Sequence, residues 1–384
     1  MTGTIDLVLR RSGAEQERSE RAPRSTRGPR YEAAELGFRH YWYPALLSRD
    51  LGTTPKAVRM LGENLVFVRA WGKPHALYDR CAHRGMVLSA GQCLAEGTIT
   101  CPYHGWTFDV ADGRCVAALT DGPESAVVGK RRARVRAYPV EERNGIIYAY
   151  IGDGHPPSLE TDVPVELLDA ASYVSGVVVN EWACNWRVAV ENGHDAAHVP
   201  MVHQNSLRMR TSLGRPPAWY GHVDNFVAGD YLYRQARVVG VSGVYPRVGR
   251  WPRYSLLRRL LIRAGSQRRG FESSAFRLPS MIYGTFADYT MVRWVVPIDA
   301  KRCRNFMWLT SRQEGWGRVG WLLRYWLWHR WVFTKRFTAQ DQRIVERLDY
   351  SAPEQLFRPD GSIVGLRRYI EANARWRDPV PADA

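Results

Sequence analysis

Two cysteines and two histidines stand in mixed pairs, Cys81-Ala82-His83 and Cys101-Pro102-Tyr103-His104, with 17 residues (84–100) between them. Each pair falls between strand-like runs, and a glycine follows each, Gly85 and Gly105. Glycine lets backbone approach a metal where a Cβ would not fit. Three readings compete. Four unrelated residues are not expected to arrive as matched half-sites. A structural zinc ion takes two thiolates and two imidazoles, but zinc-finger spacing pairs Cys with Cys and His with His. A Rieske [2Fe–2S] cluster carries two thiolates on one iron and two imidazoles on the other, and each mixed loop supplies one of each. Imidazole is neutral where thiolate is anionic, so the reduced cluster carries less negative charge and accepts an electron more readily. The spacing favours the cluster. With that ligand set full, Cys93 and Cys115 are read as small buried residues.

A second constellation lies in NWRVAVENGHDAAHVPMVHQN, which holds Glu191, Asn192, His194, Asp195, His198 and His203. A helix is expected around Trp186–His198, on which Asp195 and His198, three apart, share a face. Pro200 disfavours helical geometry at Val199, and a break there would swing His203 back toward His198. Two histidines and one carboxylate with open positions form the facial triad of non-haem iron(II) oxygenases. The competing reading is two ordinary histidines of an amphipathic helix. Spacing leaves the carboxylate open: Asp195 and Glu191 are local candidates, and a distant acid such as Asp341 in FTAQDQRIVERLDY is another. If Asp341 ligates, Asp195 is free to accept a hydrogen bond from a ligand imidazole and fix its tautomer. His194, adjacent to Asp195, points elsewhere on a helix.

The elements that must hold these residues follow from pattern. From about Glu35 to Asp153 the chain reads as short strands broken by turn pairs at Gly72-Lys73, Asp112-Gly113 and Asn144-Gly145, the last being the strongest hairpin signal. GDGHPPSLETDVP reads as a linker. A strand-like run (Ser172 to Glu181), the Trp186–His198 helix, mixed segments to about Arg312 and two C-terminal helices complete the chain. Residues 1–34 read as a disordered basic leader, 35–155 as the cluster domain and 156–384 as the iron domain. The Trp316–Phe333 stretch places Trp321, Leu322, Tyr325, Trp328 and Val332 on one helical face. It reads as core or subunit interface, with a membrane-surface helix as the alternative.

Composition sets the frame. The chain has 384 residues, 45% hydrophobic and 24% charged, enough for two cores. No apolar run is long enough for a membrane span, and no secretory signal is evident. Six cysteines in this length are no disulfide framework, which points to a reducing, cytoplasmic setting. Lys+Arg 54 against Asp+Glu 38 leaves +16. The surplus is concentrated in Arg10–Arg30 and Arg247–Arg269, without a nucleic-acid-binding motif, so nucleic acid is not expected as a partner.

Taken together, CAHRG, CPYHGW, NWRVAVENGHDAAHVPMVH and AQDQRIVE resemble the terminal oxygenase component of the Rieske non-haem iron ring-hydroxylating oxygenases, over Gly37 to Trp376. LGFRHYWYPALLSRDL, LGENLVFVRA, the YAYIGDG–PP stretch and ENGHDAAH are similar to the carbazole-type angular dioxygenase branch. The resemblance implies an α+β fold, an N-terminal antiparallel β Rieske domain followed by a helix-grip catalytic domain. It implies Cys81 and Cys101 on one cluster iron, His83 and His104 on the other, and His198, His203 and Asp341 on a mononuclear Fe(II). Asp195 and Asn192 become the catalytic side chains, with Asp195 bridging His198 to a cluster histidine, His104, of a neighbouring subunit. It also implies a head-to-tail homotrimer, with electrons passing from NAD(P)H through a flavin reductase and a ferredoxin. One departure is Gly193-His194, where a histidine stands in place of an apolar or aromatic residue. The expected activity is O2-dependent hydroxylation or dihydroxylation of an apolar aromatic or polycyclic substrate. The rivals are a monooxygenase on a non-aromatic scaffold, a Rieske electron carrier and a zinc-stapled binding protein. Met281, Tyr283 and Phe286 are the expected pocket residues.

Overall fold

The computed structural model describes residues 27–203, 218–241, 271–286 and 289–375. Most of the basic leader and the whole Arg247–Arg269 cluster lie outside these residues. The framework is a seven-stranded antiparallel sheet in the order Tyr173–Trp182, Arg302–Arg312, Tyr289–Asp299, Met281–Phe286, Phe271–Arg277, Tyr231–Val241, Ala218–Ala228. Its strand Tyr289–Asp299 is buried almost throughout, which its run of Val292, Trp294, Val295 and Val296 requires. Side chains alternate faces along a strand. On one face Trp294 meets Tyr43 and Tyr148 of the pair Tyr41–Leu47 and Ile146–Ile151. On the other, Arg293 donates through Nη2 to the Ala189 carbonyl of the helix Trp186–His194. That helix is therefore held against the sheet. Gly193 permits the approach, because a Cβ there would come within 2.8 Å of both Arg293 Nη2 and Ile282 Cγ1.

The N-terminal lobe adds a four-stranded sheet (Lys56–Met60, Glu63–Ala70, Lys73–Tyr78, Ala137–Tyr138) and a three-stranded one (Thr98–Thr100, Trp106–Asp109, Cys115–Ala118). A separate small core of Val66, Leu77, Leu88, Ile99 and Phe108 encloses Cys81 and Cys101. The expected division at residue 155 is not a boundary between cores. Tyr41–Leu47, Leu65, Phe67 and Ile146–Ile151 belong to the same buried cluster as Trp294 and Phe306. The mixed α+β architecture and its antiparallel sheets match the expectation.

Four expectations need correction. The leader ends earlier than residue 34: Pro29–Ala33 is helical, Tyr31 is fully buried, and Arg27 pairs with Glu354. The linker is anchored, since Asp162 accepts from Trp42 N and pairs with Arg375. The helix after Asn185 stops at His194, before the expected break at Val199. Asp195 is extended (φ −70°, ψ 136°) and caps the next turn, its carboxylate accepting from Ala197 N at 2.7 Å and His198 N at 3.1 Å. Pro200 then sits in the first turn of the short helix Val199–Val202, where its missing N–H costs nothing. Finally, the first hairpin turns at Trp71-Gly72 (φ 50° and 72°), not at Gly72-Lys73.

Candidate metal centres

The two Cys/His loops fold in the same way. Cys81 N–H donates to Met86 O (2.7 Å) and Gly85 N–H to Cys81 O (2.9 Å). Cys101 N–H donates to Trp106 O (2.8 Å) and Gly105 N–H to Cys101 O (3.1 Å). Both glycines have positive φ, 72° and 65°, which only glycine adopts without strain. A Cβ on Gly105 would strike Leu119 Cβ at 2.8 Å. The loops bring the His83 and His104 rings to 4.6 Å, His83 stacks on Trp106, and His104 lies against the exposed Tyr103. Cys81 and Cys101 are buried side by side. Burial, and then the neighbouring thiol, push the Cys81 thiol up to about 11. His104 is shifted down, by desolvation and then by His83 and Arg84, which suits an imidazole needed in its neutral form.

A pair of buried thiols beside a pair of imidazoles calls for cationic metal to stabilise the thiolates. One tetrahedral ion would draw all four donors into contact. Among the described residues, however, only His198, His203 and Asp341 gather their donor atoms within 4.8 Å of one another. Two thiols and two imidazoles in mixed loops fit the donor set of a two-iron cluster. Cys115 is buried as expected, but Cys93 is exposed, in the loop before Thr98 and not on a strand.

At the second centre, His198 and His203 flank the Val199–Val202 turn, and Asp341 reaches them from the helix Ala339–Val345. Asp341 Oδ1 lies 3.4 Å from His198 Nε2 and 3.0 Å from His203 Nε2. The other ring nitrogens are held: His198 Nδ1 by Asp195 Oδ2 at 3.2 Å and His203 Nδ1 by Gln340 Oε1 at 3.0 Å. An Nδ1–H donating to each oxygen leaves a lone pair on each Nε2. His203 Nε2 and Asp341 Oδ1 are buried without a hydrogen-bond partner. Facing lone pairs at this separation repel unless a cation lies between them, so the residues fit a metal ion. Burial opposes charge on His198, but the Asp195 and Asp341 carboxylates outweigh it and raise its pKa to about 9, so the site favours positive charge at Nε2 and a bound cation would replace the proton there. Burial likewise pushes Asp341 up, and the two histidines overcome that to leave it well below the usual carboxylate range.

The remaining local acids are spent elsewhere. Glu191 accepts from Tyr31 Oη and from Arg367 Nε and Nη2 at 2.8–2.9 Å, which ties the helix to both ends of the described chain. Asp195 holds its imidazole and its own turn, and its net shift is downward because His198 overcomes burial. Asn192 is not among the three convergent side chains; its amide oxygen is buried without a partner among the described residues. His194 is fully buried and structural. Its Nε2 meets Asn225 Oδ1 at 2.9 Å, and Asn225 Nδ2 donates to Gly361 O and Ser362 O at the start of the C-terminal helix. Burial, then Arg234, drive its pKa down to about 3.

Sequence reasoning missed Gln340 and Phe337. Phe337 stacks on His203 at 3.9 Å, and rings continue through Phe333 to Phe286 and Tyr289. Of the expected pocket residues, Phe286 joins this chain, whereas Met281 and Tyr283 are packed in the main core. A cavity of about 680 Å³ lined by Lys73, His75, Tyr138 and Glu142 shares no residue with either centre.

The comparisons with known proteins follow the same division. Residues 41–139 match the Rieske [2Fe–2S] domain, and 150–214 match the homotrimeric ring hydroxylase domain. The terminal oxygenase component of carbazole 1,9a-dioxygenase from a Sphingomonas species is 43% identical over 182 residues, 47% of each chain. The same component from Metapseudomonas resinovorans is 39% identical over 57% of this chain and 56% of its own. The chain thus spans about half the length of these relatives. A methylxanthine N3-demethylase of Pseudomonas putida aligns at 25% identity over 89% of this chain and 93% of its own. Among solved structures, the oxygenase in a reduced oxygenase–ferredoxin complex of carbazole 1,9a-dioxygenase superposes with a TM-score of 0.74 at 28% identity, covering 89% and 91% of the two chains. The terminal oxygenase from Novosphingobium sp. KA1 gives 0.73 at 27%, covering 90% and 95%. Among the described residues, no helix is long and apolar enough to cross a membrane.

Proposed function

We propose that the chain is a Rieske non-haem iron ring-hydroxylating oxygenase, the terminal oxygenase of a multicomponent system that hydroxylates or dihydroxylates an apolar aromatic or polycyclic substrate. The cluster domain (35–155) would receive electrons from NAD(P)H by way of a ferredoxin and a flavin reductase, and the iron domain (156–384) would use them with O2. The convergence of His198, His203 and Asp341 on one buried point carries this reading. When bound, the cluster supplies electrons one at a time and the ferrous ion supplies a site for O2.

The chain's own residues do the positioning. Cys81 and Cys101 would hold one cluster iron, His83 and His104 the other, and His198, His203 and Asp341 the mononuclear ion. Asp195 and Gln340 keep a proton on Nδ1 of His198 and His203, so that both Nε2 lone pairs face inward. Phe337 walls the site with an apolar ring and excludes water from that side. Asp195 is 21% exposed, which leaves it reachable by His104 of a neighbouring copy in a head-to-tail trimer. In that arrangement Asp195 is a strut and conductor between centres and breaks no bond itself. Asn192, one helical turn before Asp195, offers a free amide oxygen for the same region.

A monooxygenase reading, hydroxylation or demethylation, is favoured by the nearly full-length alignment with a demethylase. Turnover of a polycyclic and heteroaromatic panel with ferredoxin, reductase and labelled O2 tests both, because the product counts the atoms inserted. In the same assay His198→Ala should lose turnover and keep the cluster spectrum. A variant that still turned over would overturn His198 as an iron ligand, and a wild-type protein that passed electrons to an acceptor without ever oxygenating would leave only an electron carrier.

A further inference from the structure

The helical segment Trp316–Thr338 has two apolar faces, and the fold uses one. Trp321, Tyr325 and Phe333 are buried against Tyr289, Met307 and Leu309 of the large sheet, and Val332 is buried as well. Arg318 fastens the start of the segment, donating to the carbonyls of Ala170, Ala171 and Tyr173. The opposite face carries Trp316 at 87% exposure and Leu327 at 79%, with Leu323, Trp326 and Trp328 also exposed. Arg324 and Arg330 are exposed on the same stretch. Arg330 lies over the Trp326 ring at 4.7 Å, and neither arginine has a carboxylate partner among the described residues. From 316 to 338 the sequence contains five tryptophans, five Lys or Arg and no Asp or Glu.

We propose that this face docks the protein on an anionic lipid bilayer surface. Charge decides the occupant. A two-fold contact with a second copy would bring the same unpaired arginine row against itself, with no acid in the segment to neutralise it, and the head-to-tail contact proposed above runs instead through Asp195 and His104. An anionic bilayer accepts the indole and leucine side chains into its headgroup–acyl boundary and pairs the arginines with lipid phosphates. With five Lys or Arg the segment is too charged to cross, so it lies in the plane of the surface. Rings run inward from it without a gap, from Trp321 and Tyr325 through His329, Tyr289, Phe333 and Phe337 to His203. The docking face and the buried metal centre are thus two ends of one aromatic wall. The proposal stands on the chemistry of the helix and needs no particular substrate.

Flotation of the full chain, cluster in place, with phosphatidylcholine or mixed phosphatidylcholine–phosphatidylglycerol vesicles tests it. The wild type should float with the anionic vesicles, less so as salt rises, and weakly with the neutral ones. Replacing Arg324→Gln and Arg330→Gln together should weaken partitioning by about 25-fold, at roughly fivefold per arginine. The triple variant Trp316→Ser, Leu323→Ser, Leu327→Ser should abolish it. Unchanged cluster absorbance and melting temperature show that the variants fold. Absence of binding by the wild type overturns the proposal. So does binding that both variants retain, which would move the lipid contact to another basic stretch. A wild-type assembly that dissociates in the triple variant, read by sedimentation velocity, overturns it in favour of a contact between copies.

Discussion

At the residue scale, the candidate iron centre depends on side chains that fix the histidines as much as on the histidines themselves. Gln340 Oε1 holds His203 Nδ1 as Asp195 holds His198 Nδ1. Removing such a partner typically costs 10–100-fold in metal affinity. Gln340→Leu should therefore weaken metal binding by about that factor, read by competition with a chelator, while cluster absorbance stays unchanged. Asp195→Asn is expected to differ: the amide oxygen can still accept from Nδ1, so metal is retained, but coupled turnover should fall much further than metal content. His194 makes a separate prediction. It is held neutral with a pKa of about 3, below the unfolded value of about 6.5. Stability is thus full above the unfolded value and falls as pH drops toward the folded one, because only the unfolded chain takes up the proton. Between pH 7.5 and pH 5 this corresponds to a loss of about 2 kcal/mol. His194→Gln, which keeps a donor for Asn225, should remove that loss from the pH dependence of urea unfolding.

At the scale of elements, what was legible in the sequence was local. The Cys/His half-sites could be read because each is one hairpin loop, complete within six residues, with a glycine where the backbone turns left-handed. The helix break was legible as a fact and misplaced in position. Pro200 announces a break, but the Asp195 carboxylate captures two backbone N–H groups first and the helix ends at His194, four residues before the expected His198. Gln340 was beyond reach because its bond to His203 spans 137 residues, and no spacing rule reports such a contact. The face of Trp321, Leu322, Tyr325, Trp328 and Val332 was read as core or subunit interface, with a membrane surface as the alternative, and of these Leu322 and Trp328 are exposed. Periodicity marks apolar faces but does not say which of two will find a partner in the fold. Gly193 shows the same limit from the other side: the reason it carries no Cβ lies in Arg293 and Ile282, strands away in sequence. Gly193→Ala should overpack that contact and cost about 1–3 kcal/mol, seen as a lower denaturation midpoint with the metal ligands intact.

At the scale of the whole molecule, the two centres belong to lobes that share one core, and the proposed electron path runs from one chain to its neighbour. Asp195 and the half-buried His104 both reach the surface of a single chain, and the ring hydroxylase domain matched at 150–214 is that of homotrimers. If electrons cross between subunits, two defective chains should repair one another. Co-assembled Cys101→Ser chains, lacking the cluster, and His203→Ala chains, lacking the iron, should recover some of the wild-type turnover. Either variant alone should have none, and mixtures without recovery would confine transfer to one chain. The central claim, that each chain carries both a two-iron cluster and a separate buried iron, is tested most directly by counting iron and acid-labile sulfide in anaerobically prepared protein, side by side with Asp341→Ala. About three irons and about two sulfides are expected per wild-type chain, with the variant losing about one iron and no sulfide. Colourless protein holding only zinc, or a variant whose iron content matched the wild type, would contradict it.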